Sequence, residues 1–280
     1  MKIISLRRSD EWMRKRRLAR PTRRSAEALS SGGQTAELQP TAVVNRRSSK
    51  QIRVAILTMR AGVRPPVRAI FSEQMSRTFL LSPAYAGGRR AQMIMSERAQ
   101  FELARRLRGD DPPTLGEVFT FLSGLYFRGK LAYANVFAQP APGISGVLVI
   151  TPNRGLVPAE SPIGIDDLRD FGTVDIDEGD PRYREPLERD VKKLTKKMTA
   201  DCEVVLLGSV ATGKYVDVLL AHLGERLRFP ADFVGRGDMS RGGLLLRCAV
   251  DRNELPYISV AGAVRKGKRP AKLEPRRYTK

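Results

Sequence analysis

The sequence predicts an α/β fold: a single domain with a largely parallel central sheet flanked by helices, extended at both ends by disordered basic tails. Two runs read as strands: "GVLVIT" (residues 146–151), a continuous apolar run expected to be buried on both faces, and residues 202–207. Amphipathic helical stretches separate such runs, the order expected when helical crossovers build a parallel sheet. The charge sits mostly at the ends: residues 1–53 hold 14 Lys/Arg against 4 Asp/Glu, residues 263–280 hold 8 against 1, and the whole chain carries +20. Those two segments therefore account for 17 of the 20 net charges.

Residues 1–52 mix Ser, Gly, Pro and charge without apolar periodicity, which predicts a disordered basic arm. The domain is expected over 53–262, opening with "VAIL" and "RTFLLS" as short buried strands. "SERAQFELARRLRG" then places Ala99, Leu103 and Leu107 on one helical stripe, with Gly109 as its stop. Thr114 and Glu117 have the spacing of a capping box for a helix through Leu122, and a further helix is expected from Gly129 to Ala138. "GVLVIT" follows as a strand. "REPLERDVKKLTKKM" puts Leu187, Val191, Leu194 and Met198 on one stripe, ahead of the Cys202 strand, a further helix and the apolar run "GLLLRCAV". Residues 263–280 form the basic C-terminal tail.

Composition narrows the chemistry. The arginine-rich ends attract polyanions through counterion release, a mode that is independent of sequence and weakens with salt, so nucleic acid is the expected partner. The competing reading is a solvated extension that only aids solubility. No run of 18 apolar residues is present, and a cytoplasmic protein with no membrane partner is expected. The Arg- and Ser-rich first residues also have the composition of an organelle transit peptide. A single histidine, His222, excludes any site that needs two His ligands. Cys202 and Cys248, both in strand-like runs, read as buried thiols, so no metal and no cofactor is expected.

The segment "VVLLGSVATGKYVDVLLAHL" imitates a phosphate loop, with Gly208, Gly213 and Lys214 in the expected places. Tyr215 stands where a Ser or Thr hydroxyl would ligate Mg²⁺, which argues against an NTPase. A strand, a tight loop and a helix whose N-terminus holds an anion is the better reading.

In open parallel sheets, ligands bind beyond the carboxyl ends of the strands. The segments following the expected strands are "SPAYAGGRR", "TPNRGL" and "GSVATGKY", which supply Ser82, Arg89, Arg90, Asn153, Arg154, Gly155, Gly208, Ser209 and Lys214. Glycines let a ligand approach the backbone, and the cations suit phosphate. Ordinary turn chemistry produces similar loops. "FLSGLYFRGKLAYANVF" interleaves Tyr126, Phe127 and Tyr133 with Arg128 and Lys130, a mixture that stacks bases and neutralises phosphate, although aromatics at helical spacing also build cores.

"GRGDMSRGG" sets Asp238 among four glycines, between Arg236 and Arg241. Breaking an N-glycosidic bond builds positive charge on the sugar, which a carboxylate stabilises, or answers by activating water. Asp238 is the candidate catalytic group, with Arg236 and Arg241 on flanking phosphates. Asp166, Asp175 and Asp177 are competing carboxylates, and a glycine-rich turn with a local Asp–Arg pair is the structural alternative.

"LLSPAYAGG", "SGLYFRGKLAYA" and "VLVITPNRGLVPAESPIGIDDL" resemble, in order and spacing, segments of YaaA-type peroxide-stress proteins and related bacterial domains, over about a third of the chain. The resemblance implies a cytoplasmic DNA-associated protein with a fold similar to uracil-DNA glycosylases, active in DNA damage or defence. It points to Ser82, Tyr126, Arg128 and Gly155. The expected function is a nucleic-acid-associated protein that binds a nucleotide or base at the carboxyl edge of its sheet, with glycosylase-like hydrolysis as the chemistry. The alternatives are a non-catalytic DNA- or RNA-binding protein and a small-nucleotide hydrolase or transferase.

Overall fold

A computed structural model describes residues 75–275. They contain eight α-helices and a six-stranded mixed sheet, mostly parallel. The expected arm over 1–52 and the "VAIL" strand lie outside the described residues. Strands β1 (Ser76–Leu81), β2 (Val147–Ile150), β4 (Cys202–Leu207) and β5 (Leu227–Pro230) are parallel, and β3 (Leu156–Pro158) and β6 (Tyr257–Ser259) pair antiparallel to β2 and β5. The order across the sheet is β3-β2-β1-β4-β5-β6. Every residue of β2 and β4 is buried, as expected at the centre of a sheet covered on both faces; β2 is wholly apolar, and β4 carries one charged residue, Glu203.

The helices are α1 (Arg89–Met95), α2 (Glu102–Arg108), α3 (Leu115–Ser123), α4 (Leu125–Phe137), α5 (Ile165–Phe171), α6 (Pro181–Lys197), α7 (Gly213–Leu223) and α8 (Asp238–Asp251). The Thr114 capping box forms, with the Glu117 amide donating to Thr114 Oγ1 at 3.2 Å and the Thr114 amide to Glu117 Oε2 at 2.7 Å. Leu187, Val191 and Leu194 face inward from α6.

Three sequence expectations change. "SERAQFELARRLRG" is helical only from Glu102, because Ser96 ends α1 and its side chain accepts from the Arg98 amide in a local turn. The segment around Asp238 is not a loop: Asp238 opens α8, and Gly242 and Gly243 lie inside that helix. Cys248 consequently sits on a helix rather than in a strand, though it is buried, as is Cys202 in β4.

The crossing from β1 to β2 and that from β2 to β4 run in opposite directions. Right-handed crossovers therefore set α4 on one face and α6 with α7 on the other. Helix α8 crosses α4 backbone to backbone. A β-carbon at Gly129 would stand 2.5 Å from the Gly242 carbonyl oxygen, and one at Gly242 would stand 2.8 Å from Tyr126 Cα. Only glycine permits this approach.

The amino-terminal edge of the sheet is electrostatically closed. Glu203 at the start of β4 takes Arg77 of β1 at 2.5 Å and Arg228 of β5 at 3.0 Å. Arg77 also pairs with Glu254 and lies over the Tyr257 ring. The Tyr257 hydroxyl donates to Glu254 at 2.8 Å and sits 2.6 Å from the Tyr133 hydroxyl. Each cation here meets a carboxylate.

Candidate functional site

The carboxyl edge is organised differently. From β1 the chain turns toward β2, and from β4 it turns toward β5, so the topological switch point lies between the ends of β1 and β4, where open α/β sheets place ligands. Ser82 and Gly208 stand at it, directly after β1 and β4. The Ser82 amide donates to the Leu207 carbonyl at 3.2 Å, and a β-carbon on Gly208 would come within 2.9 Å of Ser82 Cβ. Gly208 is thus small because the two strand ends nearly touch.

Lys130 reaches this point from α4. Its amine, 1% exposed, donates to the Ser82 carbonyl at 2.5 Å and to Ser82 Oγ at 2.8 Å, with the rings of Tyr126 and Phe127 at 4.5 and 4.9 Å. Burial pushes the Lys130 amine down to about 7, opposed by the Asp238 carboxylate and aided by the Arg241 guanidinium. Tyr126, 8% exposed, has a hydroxyl that makes no hydrogen bond of regular geometry; burial raises it to about 12, opposed by the charge and weak hydrogen bond of the Arg241 guanidinium. Arg241, buried on the first turn of α8, donates to the Phe233 carbonyl at 3.0 Å and stands 3.5 Å from Asp238. Tyr215, also buried, titrates higher than usual, chiefly through burial and then through Tyr126 and Asp238.

The stability of Lys130 gives a pH signature. The folded chain favours the neutral amine, whereas the unfolded chain keeps its proton into the ordinary lysine range. Between about pH 7 and that range the unfolded state binds more protons, so stability rises with pH relative to Lys130→Met, at up to about 1.4 kcal/mol per pH unit. Urea titrations of both proteins from pH 6 to 10 measure this. Parallel curves would mean that the amine stays charged in the fold.

Of the residues singled out in the sequence, Ser82, Tyr126, Gly208, Arg241 and Asp238 converge here from four separate segments. Arg236 precedes α8 at the mouth, its side chain 3.4 Å from Ser240 Oγ, and half-buried Ser209 follows Gly208. Asp238 itself is open, with 67% of its side chain exposed. The others fall elsewhere. Asn153, Arg154 and Gly155 make the β2–β3 turn, which α5 and α6 hold. Arg154 pairs with Asp167 at 2.6 Å and Asp170 at 3.4 Å and lies over Phe171, and Asn153 donates to the Asp170 carbonyl at 3.2 Å. Gly155, at φ 69°, is pressed so closely on Pro186 and Asp190 that a β-carbon would overlap them. That arginine is neutralised and that glycine is a turn residue.

Arg89 and Arg90 are exposed at the start of α1, Arg90 donating to the Phe121 carbonyl at 3.0 Å, and Arg128 is exposed on α4. The Gly208–Lys214 loop does not make a phosphate cradle. The Lys214 ammonium lies 5.1 Å over the Tyr215 ring, and the Asp217 carboxylate crowds Gly213. His222 is half-buried in the last turn of α7.

Lys130 is the principal site residue that sequence reasoning missed. The sequence set it beside Arg128 as a cation that neutralises phosphate, and only the crossing of α4 over the β1 end buries it. Arg265, Lys266 and Arg269 are the second omission. Assigned to a free tail, they line a cleft of about 420 Å³ with Arg236, Arg241 and Ala211. Among the described residues, no cluster of three or more His, Cys, Asp or Glu is placed to hold a metal, and no helix is long and apolar enough to cross a membrane. Comparison with protein-family models, curated proteins and solved structures finds no match.

Proposed function

We propose that this chain is a nucleic-acid-associated protein that holds a nucleotide or base at the carboxyl edge of its sheet, at the switch point between β1 and β4, and hydrolyses an N-glycosidic bond there. The observation that carries the reading is the buried hydroxyl of Tyr126 in the switch-point cluster, which makes no regular hydrogen bond and has only the Arg241 guanidinium beside it. An unmet buried polar group costs about 1–3 kcal/mol, a cost that a ligand's hydrogen bond would offset. At the amino edge, by contrast, Arg77 and Arg228 both meet the Glu203 carboxylate.

In this reading the Tyr126 hydroxyl and Ser82 Oγ meet the polar edge of the base, while Arg236 and Arg241 receive a flanking phosphate at the N-terminus of α8. Asp238 stands in the open mouth, where a carboxylate stabilises charge on the sugar or activates the attacking water. The segments that resemble YaaA-type proteins supply Ser82 and Tyr126 to this cluster, which supports an assignment to DNA damage or defence.

A second reading has its own observation. Asp238 is largely exposed, occupies the first turn of a helix and faces Arg241, an arrangement that also serves the helix alone. The same edge is then a recognition surface without catalysis. Asp238→Asn separates the two. It is expected to bind single-stranded oligonucleotides within about twofold of the parent while losing base release by at least about 100-fold, in line with general acid–base contributions. Undetectable base release from the parent on every base would leave the recognition surface as the function.

A further inference from the structure

The C-terminal segment from Ala263 to Pro275 has no helix or strand, yet it is laid against the domain at defined points. Gly235, at φ 72°, packs on the Lys268 carbonyl so closely that a β-carbon would overlap it, and a β-carbon on Gly267 would stand 2.7 Å from Val234 Cγ1. Farther along, Pro270, Ala271 and Leu273 face Met239 and Gly243 of α8 across a second cleft of about 320 Å³. A merely solubilising tail needs none of these contacts.

The result is a cleft with two walls. Arg236 and Arg241 line one, Arg265, Lys266 and Arg269 the other, and the rest of the lining is Ala211 and glycine. Among the described residues no carboxylate lines it, and Asp238 touches only its Arg241 side. Among the described residues, no carboxylate pairs with Arg236, Arg265, Lys266 or Arg269. Five cations converge beside the single carboxylate of Asp238, which pairs with Arg241, and the four others repel one another unless an anion joins them. Four of the five are arginines, whose planar forks match phosphate oxygens in pairs. The volume exceeds what a lone phosphate fills and lies in the range of small-ligand sites.

We infer that the segment Arg265–Arg269 and the start of α8 form a clamp for the phosphodiester backbone of a single nucleic-acid strand, which it feeds past the switch point between β1 and β4. The inference rests on the carboxyl edge being the ligand side. It adds that the C-terminal segment is half of the binding site.

The test compares full-length proteins binding a fluorescein-labelled single-stranded octanucleotide across a salt series. A cleft triple, Arg265→Gln, Lys266→Gln and Arg269→Gln, is set against a control triple, Arg276→Gln, Arg277→Gln and Lys280→Gln, of equal net charge. The cleft triple is expected to lose at least about tenfold in affinity at 0.15 M salt and to reduce the log–log salt slope by about 1.4, for two phosphate contacts at about 0.7 each. The control triple is expected to stay within twofold. Gly235→Ala keeps every charge but dislodges the segment, and is expected to lose affinity as the cleft triple does. Equal losses in the two triples, or parent-like binding by Gly235→Ala, would overturn the clamp while leaving the carboxyl-edge reading intact. Displacement of the octanucleotide by inorganic phosphate at low millimolar concentration would instead indicate a free-phosphate site. Failure of the parent to bind the octanucleotide at all would remove both readings.

Discussion

Replacing Glu203 by alanine is expected to destabilise the protein by about 3 kcal/mol, the low end of what breaking a buried ion pair costs. Glu203 is 5% exposed and is the one carboxylate shared by Arg77 and Arg228 across three strands. Without it, Arg77 keeps only Glu254 beside the Tyr257 ring, and a guanidinium is left in a poorly hydrated place. Arg228→Ala removes the more exposed partner and is expected to cost no more than about 1 kcal/mol. Chemical denaturation resolves the difference. Neither substitution touches the carboxyl edge, so the folded fraction of each is expected to bind ligand as the parent does.

Gly129→Ala is expected to lose both stability and ligand binding. In an isolated helix alanine is better than glycine by up to about 1 kcal/mol, and a helix that met only side chains would be stabilised. Here the added methyl meets the backbone of α8, where neither partner can rotate away. Overpacking of this kind costs about 1–3 kcal/mol, and it is relieved only by moving α8 off α4. That movement draws Arg241 and Asp238 away from Tyr126 and Lys130. Denaturation midpoints and oligonucleotide titrations of the same preparation report the two effects together. A Gly129→Ala protein as stable and as tightly binding as the parent would show that the crossing does not hold the site.

These two variants mark what was legible in the sequence. The apolar runs that became β1, β2 and β4, the Thr114 cap and the stripe on α6 are local patterns, and local patterns survive folding. The bound on each is set by capping and burial that a short window contains. Lys130 and Tyr126 could be read as a basic and aromatic mixture, but their burial depends on Gly129 meeting Gly242 more than a hundred residues away. Arg154 looked available for phosphate because Asp167 and Asp170, which neutralise it, belong to a helix farther along the chain. The glycines around Asp238 suggested a loop by composition. The long apolar stretch "LLLRCAV" behind them, packed on α4, draws the whole segment into a helix instead. The cations beyond residue 263 were legible as charge alone, since nothing in the sequence states that Lys268 will lie on Gly235.

The central claim is that the switch point between β1 and β4 is where a nucleotide sits. A crystal structure of the full chain grown with a nucleoside 5′-monophosphate tests it most directly. Density is expected for the phosphate between Arg236 and Arg241 at the start of α8, with the base reaching the Tyr126 hydroxyl and Ser82. A nucleotide seated at the amino edge by Glu203 and Glu254, or an empty switch point at millimolar nucleotide, would contradict it.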